Sequence, residues 1–203
     1  NVELLKLRGS CQFCDLTNAK LKDMDLHGVD LGEANLTRAV LNRANLEGAN
    51  LIGADLSEAN LEGVNLGEAN LTDAILSGAN LRYASLPRAF LNFVNLTYAD
   101  LFGVDLRVAD LEGSDLSGAN LTGANLTGAN LFRVDLSGAN LTEANLEGAM
   151  LREANLTGAV IDNRAQLDQS LLCNTSLPDG GESGCNLSGA NLTGRNLQSA
   201  ALS

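Results

Sequence analysis

The sequence predicts an all-β solenoid, and three regularities in its 203 residues predict it. Leu occupies every fifth position from Leu16 to Leu156 without an exception. The position two residues before each Leu holds small residues, mostly Ala, and the position between them holds mostly Asn or Asp. A step of five residues turns an α-helical side chain by about 140° and reverses its face in a strand. A chain that bends once per unit and winds into stacked coils therefore gives every Leu a common axis.

The first element, residues 1–13, lies outside this register. Leu4, Leu5 and Leu7 give the segment an apolar side that can close the first coil. We expect an N-terminal cap here, with a short helix as its simplest form.

The second element, residues 14–161, is uninterrupted repeat. The Leu and the small residue are expected to point inward and to fill a narrow interior. Asn and Asp bond nearby backbone groups, which suits a corner position. The two residues after Leu vary among Ser, Thr, Gly, Glu and Arg, and are expected to face solvent.

The units Ala139-Asn140-Leu141-Thr142-Glu143 and Ala54-Asp55-Leu56-Ser57-Glu58 closely resemble those of the pentapeptide-repeat proteins. The resemblance implies a right-handed quadrilateral β-helix with four of these units per coil. At a sheet spacing of about 4.8 Å, the unbroken units make roughly seven coils and about 35 Å of rod. The stability of such a rod depends on neighbouring coils and capped ends.

The last two elements are a register break with a loop at 162–184 and terminal repeats at 185–203, which complete a single domain. The five-residue register places the next inward residue after Ile161 at position 166, but the Leu is at 167. We therefore place one extra residue in the segment Asp162-Asn163-Arg164. Turn residues fill 178–184, a stretch without Leu, so we expect this unit to bulge out as a C-terminal loop insertion.

In a rod with the expected coils, a cysteine can form an intramolecular bridge only with a cysteine near the same end of the rod. Cys14 and Cys173 lie about eight coils apart, on the order of 38 Å, whereas a disulfide needs Cα atoms within about 7 Å. We therefore favour Cys11–Cys14 and Cys173–Cys185, and the distance also excludes a four-Cys zinc site. Free cysteines that fill the core in the small inward position of Cys14 and Cys185 are one alternative. A redox-active Cys11-x-x-Cys14 is another.

Bridges indicate an oxidising compartment. The Cys-containing start and the stretch 173–180 resemble exported cyanobacterial pentapeptide-repeat proteins and related chloroplast lumen proteins. The expected location is therefore the periplasm or the thylakoid lumen, with the cytoplasm as the alternative if the thiols are free. No apolar run is long enough to predict a membrane span.

The residue types argue against an enzyme or a cofactor site. His27, the only His, follows Leu26 in an outward position, and paired carboxylates such as Asp110 and Glu112 lie on a convex rod with no cleft to desolvate them. Each Gly of the uninterrupted repeat is an isolated residue, so we expect no phosphate-binding loop there. The formal net charge of −12 argues against direct binding to nucleic acid.

One stretch differs from the rest in polarity and sign, and it is the candidate partner-binding site. Five of the seven aromatic residues fall within one coil's length, no acidic residue occurs from Ala74 to Ala99, and two Arg add positive charge. Exposed aromatics with Arg are usual interface anchors. The candidate residues are Arg82, Tyr83, Arg88, Phe90, Phe93, Tyr98 and Phe102. The alternative is that the four-sided coil spreads these side chains over different faces.

The sequence thus predicts a non-enzymatic structural or protein-interaction module, whose partner is an unknown protein or a second copy of the chain. The second hypothesis is a DNA mimic, because some proteins of the resembled family bind DNA gyrase through a DNA-like acidic surface. Duplex DNA carries one charge per ~1.7 Å, so a mimic of DNA needs a dense and continuous line of acidic side chains. In this chain the Asp residues that fall one coil apart on one face do not form a continuous line, because three other residues interrupt them: Asn35, Ile75 and Asn95. This interruption favours the first hypothesis.

Overall fold

The computed structural model describes Leu5 and residues 9–162 and 165–185. Parallel bridges join each Asn or Asp position to the equivalent position four units further along the chain, from Ser10 with Asp30 to Asn140 with Val160. Each coil therefore contains four of the five-residue units, and the chain is a β-helix. Within the described residues the bridges are isolated pairs, so the coil is held by short contacts rather than by long strands.

The bend of each unit is a β-turn that starts at Leu. The N–H of Ala34 donates to the carbonyl of Leu31 at 3.0 Å, and the same bond recurs in successive units. The second residue after Leu has a positive φ in every turn from Phe13 (54°) to Gly158 (71°). A left-handed residue at this place is what a type II turn requires. The corner therefore lies at the two residues after Leu, and the prediction of a corner at the Asn or Asp position is wrong.

The Asn and Asp side chains hold both the next turn and the next coil. The Asn35 Oδ1 atom accepts the N–H of Thr37 at 3.0 Å, which confirms that these residues bond nearby backbone. Asn45 Nδ2 donates to Asp25 Oδ1, and Asn65 Nδ2 donates to Asn45 Oδ1, each at 3.0 Å. The amide can therefore accept within its own turn and donate to the preceding coil.

The core is the expected ladder of Leu and small residues. Leu21 and Leu156 have no exposed surface, and the inward Ala residues between them are also buried. Cys11 is buried too, because it takes the Leu position of the first turn. Ser114 replaces Ala in one unit, and its hydroxyl donates to the Leu91 carbonyl and accepts the Val94 N–H. This polar atom is therefore satisfied inside the apolar ladder.

The repeat register starts earlier than residue 14, the start predicted from the sequence. Ser10 already forms a bridge with Asp30, and Leu5 is buried and accepts the Gly9 N–H at 3.0 Å. The cap expected at residues 1–13 is therefore partly coil, since residues 10–13 stack on the coil above. The other Leu residues of that segment, Leu4 and Leu7, lie outside the described residues.

The register changes near the C-terminal end. Met150 pairs with Leu171 and Asn155 pairs with Ser176, so this coil is one residue longer than the regular coils before it. A short helix, α1 (Ala165–Asp168), lies in the break. Gln166 Nε2 donates to the carbonyls of Leu141 and Ala144 at 2.8 and 2.7 Å. One side chain thus bonds backbone acceptors of the coil below.

After α1 the chain turns back on itself. Ser176 forms an antiparallel bridge with Glu182, and the N–H of Leu177 donates to the Gly181 carbonyl at 2.7 Å. Pro178 and Gly180 lie in the turn of this hairpin. The terminal repeats expected at 185–203 lie outside the described residues except for Cys185.

Candidate partner-binding surfaces

Turns that are one coil apart stack, so each coil contributes one turn to each of four rows along the rod. We name the rows by one member each. The Tyr83 row comprises residues 22–23 and every twentieth pair to 142–143, and the Arg88 row runs from 27–28 to 147–148. The Phe93 row runs from 12–13 to 152–153, and the Tyr98 row runs from 17–18 to 157–158.

Three of the candidate residues form one cluster on the Tyr83 row. The rings of Tyr83 and Phe102 meet edge to face with centroids 5.4 Å apart. The Arg82 guanidinium carbon lies 4.4 Å from the Phe102 ring centroid and 5.6 Å from that of Tyr83. Arg82 Nη1 also contacts Asp100 Oδ2 at 3.1 Å, and this bond raises the pKa of the guanidinium. The cluster is therefore a platform of two rings in contact, with the guanidinium lying over both.

The other four candidates lie elsewhere. Arg88 is on its own row and pairs with Glu68, Phe90 occupies an Asn or Asp position, and Phe93 and Tyr98 stand on the two following rows. The Phe93 row lies two turns from the Tyr83 row in either direction around the coil. The seven residues therefore do not form one continuous surface, because one coil's length of sequence passes once around the rod.

Three of the aromatic residues with a positive φ each lie over a glycine of the next coil. A Cβ built on Gly113 would come within 2.6 Å of Phe93 Cε1, and one on Gly118 within 2.6 Å of Tyr98 Cε1. Tyr83 lies in the same way over Gly103. The rings therefore lie along the rod, and they remain well exposed, by 59% for Phe93 and 78% for Tyr98.

A further cluster on the Phe93 row is absent from the sequence prediction. The guanidinium carbons of Arg133 and Arg152 lie 4.6 and 5.5 Å from the Phe132 ring centroid. Both Arg residues share one carboxylate, that of Glu153, at 2.7 and 3.1 Å. The signal that could have revealed it is the spacing of one coil between Phe132 and Arg152.

Ion pairs cross from one coil to the next at the turns. Arg43 Nε contacts Asp23 Oδ1 at 2.7 Å, and Arg38 Nε contacts Glu58 Oε2 at 2.8 Å. The hydrogen bond from each guanidinium holds the pKa of its carboxyl partner below the usual range. Arg133 lowers the pKa of Glu153 in the same manner. These pairs are exposed, so each contributes little to stability by itself.

The residues of the interrupted acidic line stack on one another, because parallel bridges join each of them to the next, from Asp15 to Asn155. Asp115 and Asp135 are direct neighbours, while Asn35, Ile75 and Asn95 separate the other Asp residues of that line. Asn155 Nδ2 donates to Asp135 Oδ1 at 3.2 Å, so the amides of the line also bond its carboxylates.

The cysteines are paired as Cys11–Cys14 and Cys173–Cys185. The first pair spans the first turn of the Phe93 row, where Cys14 N–H donates to the Cys11 carbonyl at 3.2 Å. The second joins the start of the C-terminal hairpin to the residue that follows it. Cys185 is exposed, which corrects its expected inward position, because the antiparallel hairpin takes this part of the chain out of the coil.

The candidate acid–base residues of the sequence lie at the surface of the rod. His27 is exposed in a turn of the Arg88 row, and its backbone N–H donates to Asp25 Oδ1 at 3.3 Å. Over the described part of the chain, no three His, Cys, Asp or Glu side chains are grouped so that they could hold a metal ion. The same residues include no helix with the length and apolar character needed to cross a bilayer.

Comparison with known proteins agrees with this geometry. The family profile described as pentapeptide repeats matches in eight copies at residues 10–48, 34–73, 74–113, 99–138 and 129–163. HetL, a pentapeptide repeat protein involved in heterocyst differentiation regulation from the cyanobacterium Nostoc sp. strain PCC 7120, is 31% identical with a TM-score of 0.54. The match covers 90% of this chain and 98% of HetL. The comparison with curated proteins gives no match.

Two further solved structures are similar. QnrB1, a plasmid-mediated fluoroquinolone resistance protein, is 20% identical with a TM-score of 0.54, over 77% of this chain and 93% of that one. A pentapeptide repeat protein from the thylakoid lumen of Arabidopsis thaliana is 28% identical with a TM-score of 0.40, over 68% and 87%. The family match and the likeness to HetL and QnrB1 make the fold a right-handed β-helix. With coils of four five-residue units and a family match that runs from residue 10 to residue 163, the chain belongs to the pentapeptide-repeat proteins.

Proposed function

We propose that this protein is a non-enzymatic scaffold that binds a protein partner through the Arg82, Tyr83 and Phe102 cluster. The contact of the Arg82 guanidinium with both rings is the observation that carries the proposal. Aromatic residues and Arg are the side chains that most often dominate binding energy at protein interfaces. Arg82 is also held by Asp100, so the cluster is ordered before a partner arrives and loses less side-chain entropy on binding.

The rest of the rod supports a binding role rather than a catalytic one. Side chains project from a narrow solenoid, and His27, the only His of the sequence, is exposed in a turn. The similar protein HetL is involved in the regulation of heterocyst differentiation, a role that fits recognition of other molecules. We infer a four-sided cross-section from the four turns of each coil, which would present the Tyr83 row as one edge of the rod.

The two cysteine pairs support a location outside the cytoplasm. Disulfides persist in oxidising compartments and are rare in the cytosol. We propose the periplasm or the thylakoid lumen, where both pairs would remain closed.

Affinity purification from the source cells tests the partner site. The bait is the full chain, compared with Phe102→Thr and with Glu62→Thr. Both variants place Thr at the first turn position of the Tyr83 row, where Thr122 and Thr142 already stand, so both should fold. We expect at least one protein to be retained by the wild type and by Glu62→Thr, and to fall about tenfold with Phe102→Thr.

Two outcomes would contradict the proposal. If no retained protein distinguishes Phe102→Thr from Glu62→Thr, the cluster is not the site. If a gyrase subunit is retained equally by all three baits and is released by moderate salt, the DNA-mimic hypothesis is favoured instead, because charge recognition is screened by salt.

A further inference from the structure

Large apolar side chains with exposed surface concentrate on the Phe93 row and the positions that flank it. Tyr83, Tyr98, Val108 and Val160 lie on other parts of the rod, and Phe13 lies on the Phe93 row two coils before Ile52. We call the following set, exposed except for the half-exposed Phe132, the apolar strip: Ile52, Ile75, Phe90, Phe93, Phe132 and Met150. From the turn at residue 52 to the turn at residue 152 the strip crosses five coil steps, which is about 24 Å at sheet spacing.

The two ends of the apolar strip have opposite charge. Asp73 is exposed on the Phe93 row toward the N-terminal end, and no Lys or Arg among the described residues forms an ion pair with it. Arg133 and Arg152 stand on the same row toward the C-terminal end and share the single carboxylate of Glu153. The row thus has an unneutralised acid at one end and an excess of cations at the other.

These charges are placed symmetrically about the centre of the strip. Asp73 precedes Phe93 by one coil, and Arg133 follows Gly113 by one coil, in the stacking order that the bridges define. If two rods lie antiparallel with a two-fold axis between the Phe93 and Gly113 turns, Asp73 of each copy faces Arg133 of the other. The same operation sets each Phe93 opposite the Gly113 turn of the second copy. Because each Phe93 ring also lies over Gly113 of its own copy, the two Phe93 rings meet near the axis, beside Glu112 of each turn.

We propose that the apolar strip is a self-association surface whose occupant is a second copy of this chain in the antiparallel orientation. A two-fold interface must be self-complementary, and opposite charges spaced equally from the axis meet that condition. The flat Phe93 ring over Gly113 supplies the central apolar contact, and the paired charges fix the register. This inference is independent of the proposed partner site, which lies on the Tyr83 row.

Sedimentation equilibrium of the full chain, from about 1 to 200 μM, provides the first test, because a narrow edge contact gives micromolar rather than nanomolar affinity. We expect a monomer–dimer equilibrium in that range. Phe93→Asn should raise Kd by about tenfold or more. The matched control is Tyr98→Asn, which removes an aromatic ring with positive φ over a glycine on the adjacent row and should leave Kd unchanged.

A charge swap then tests the orientation. Asp73→Arg and Arg133→Asp should each weaken association at least tenfold, since each sets like charges against each other twice in the dimer. The double variant should recover most of the wild-type affinity. Both residue types already occur with positive φ in this chain, as at Asp23 and Arg43, so the variants should fold, which circular dichroism and thermal unfolding would check.

Three results would overturn the proposal. The wild type could remain monomeric at the highest concentration. Tyr98→Asn could weaken association as much as Phe93→Asn. The double charge variant could fail to recover, because Asp73 and Arg133 are three coils apart within one chain and can meet only between copies.

Discussion

At the residue scale, the second residue after each Leu is the position where the repeat requires a left-handed backbone conformation. Its φ is positive throughout, a conformation that costs an L-residue roughly 1 kcal/mol and costs Gly nothing. Gly is accordingly the commonest residue at this position, but Glu, Arg and aromatic residues also occur there. Many of these longer side chains extend along the rod, where they meet a charged partner or a glycine of a neighbouring coil.

The pairing of rings with glycines gives a residue-scale prediction. Gly118→Ala and Gly123→Ala impose the same backbone strain, since φ is +67° and +66°. Only at Gly118 does the new Cβ meet a ring, that of Tyr98, whereas nothing lies within 4 Å at Gly123. We expect Gly118→Ala to lower the free energy of unfolding by about 1 kcal/mol more than Gly123→Ala. Chemical denaturation measures both, and equal losses would contradict the packing of Tyr98 on Gly118.

A second residue-scale prediction concerns acid. The pKa of Asp23 is lowered in the fold by the hydrogen bond from Arg43. A carboxyl with a lowered folded-state pKa stabilises the fold above its unfolded pKa and loses this contribution as pH falls through the folded value. We therefore expect the melting temperature to fall on acidification from pH 6 to pH 3, and to fall less in Arg43→Gln than in the wild type. An identical drop in both proteins would show that this pair does not sense pH.

At the scale of the element, the C-terminal break replaces backbone bonds with side-chain bonds. In an ordinary coil the carbonyl of an inward Ala accepts an N–H from the next coil, as Ala39 accepts Asn60 at 2.9 Å. At Ala144 the acceptor is served by Gln166 Nε2 instead, and the Glu143 N–H donates to Asp162 Oδ2 at 2.7 Å. Helix α1 thus closes the coil below it although its own backbone is out of register.

This capping yields an element-scale prediction. Gln166→Ala leaves the Ala144 carbonyl without its partner and should lower the free energy of unfolding by about 1–3 kcal/mol. Hydrogen exchange should also become faster in the coil that contains residues 141–148. Gln169→Ala is the control, since Gln169 is exposed and uses its backbone carbonyl to accept Gly148 N–H. Equal effects of the two variants would argue against a capping role for Gln166.

Much of the coil structure could be predicted from the sequence, because the five-residue register indicates which residues point inward. The Leu ladder, the small inward position and the local bonds of Asn35 follow from residue type alone. The left-handed turn residue could not be predicted in this way, since Gly shares its position with Glu and Arg. The role of Cys11 in the Leu position was missed because it is not a Leu, and Gln166 because its bonds depend on where the break places α1.

At the scale of the whole molecule, the rod distributes neighbouring sequence around its circumference. Residues that are close in sequence, such as Tyr83 and Phe93, lie on rows two turns apart, while Phe132 and Arg152 meet because they are one coil apart. The candidate site predicted as one aromatic surface is therefore divided among separate rows. The residue types of the candidate site can be read from the sequence. The row on which each residue lies follows only from its position within the 20-residue coil.

We propose that the whole molecule is a disulfide-closed rod that works outside the cytoplasm. Intact-mass measurement after alkylation, on protein taken from its native cells without reductant, tests that claim most directly. We expect all four cysteines to resist alkylation before reduction and to react after it: Cys11, Cys14, Cys173 and Cys185. Four alkylated cysteines in the unreduced protein would contradict the claim, because the bridges and the oxidising compartment would then both be absent.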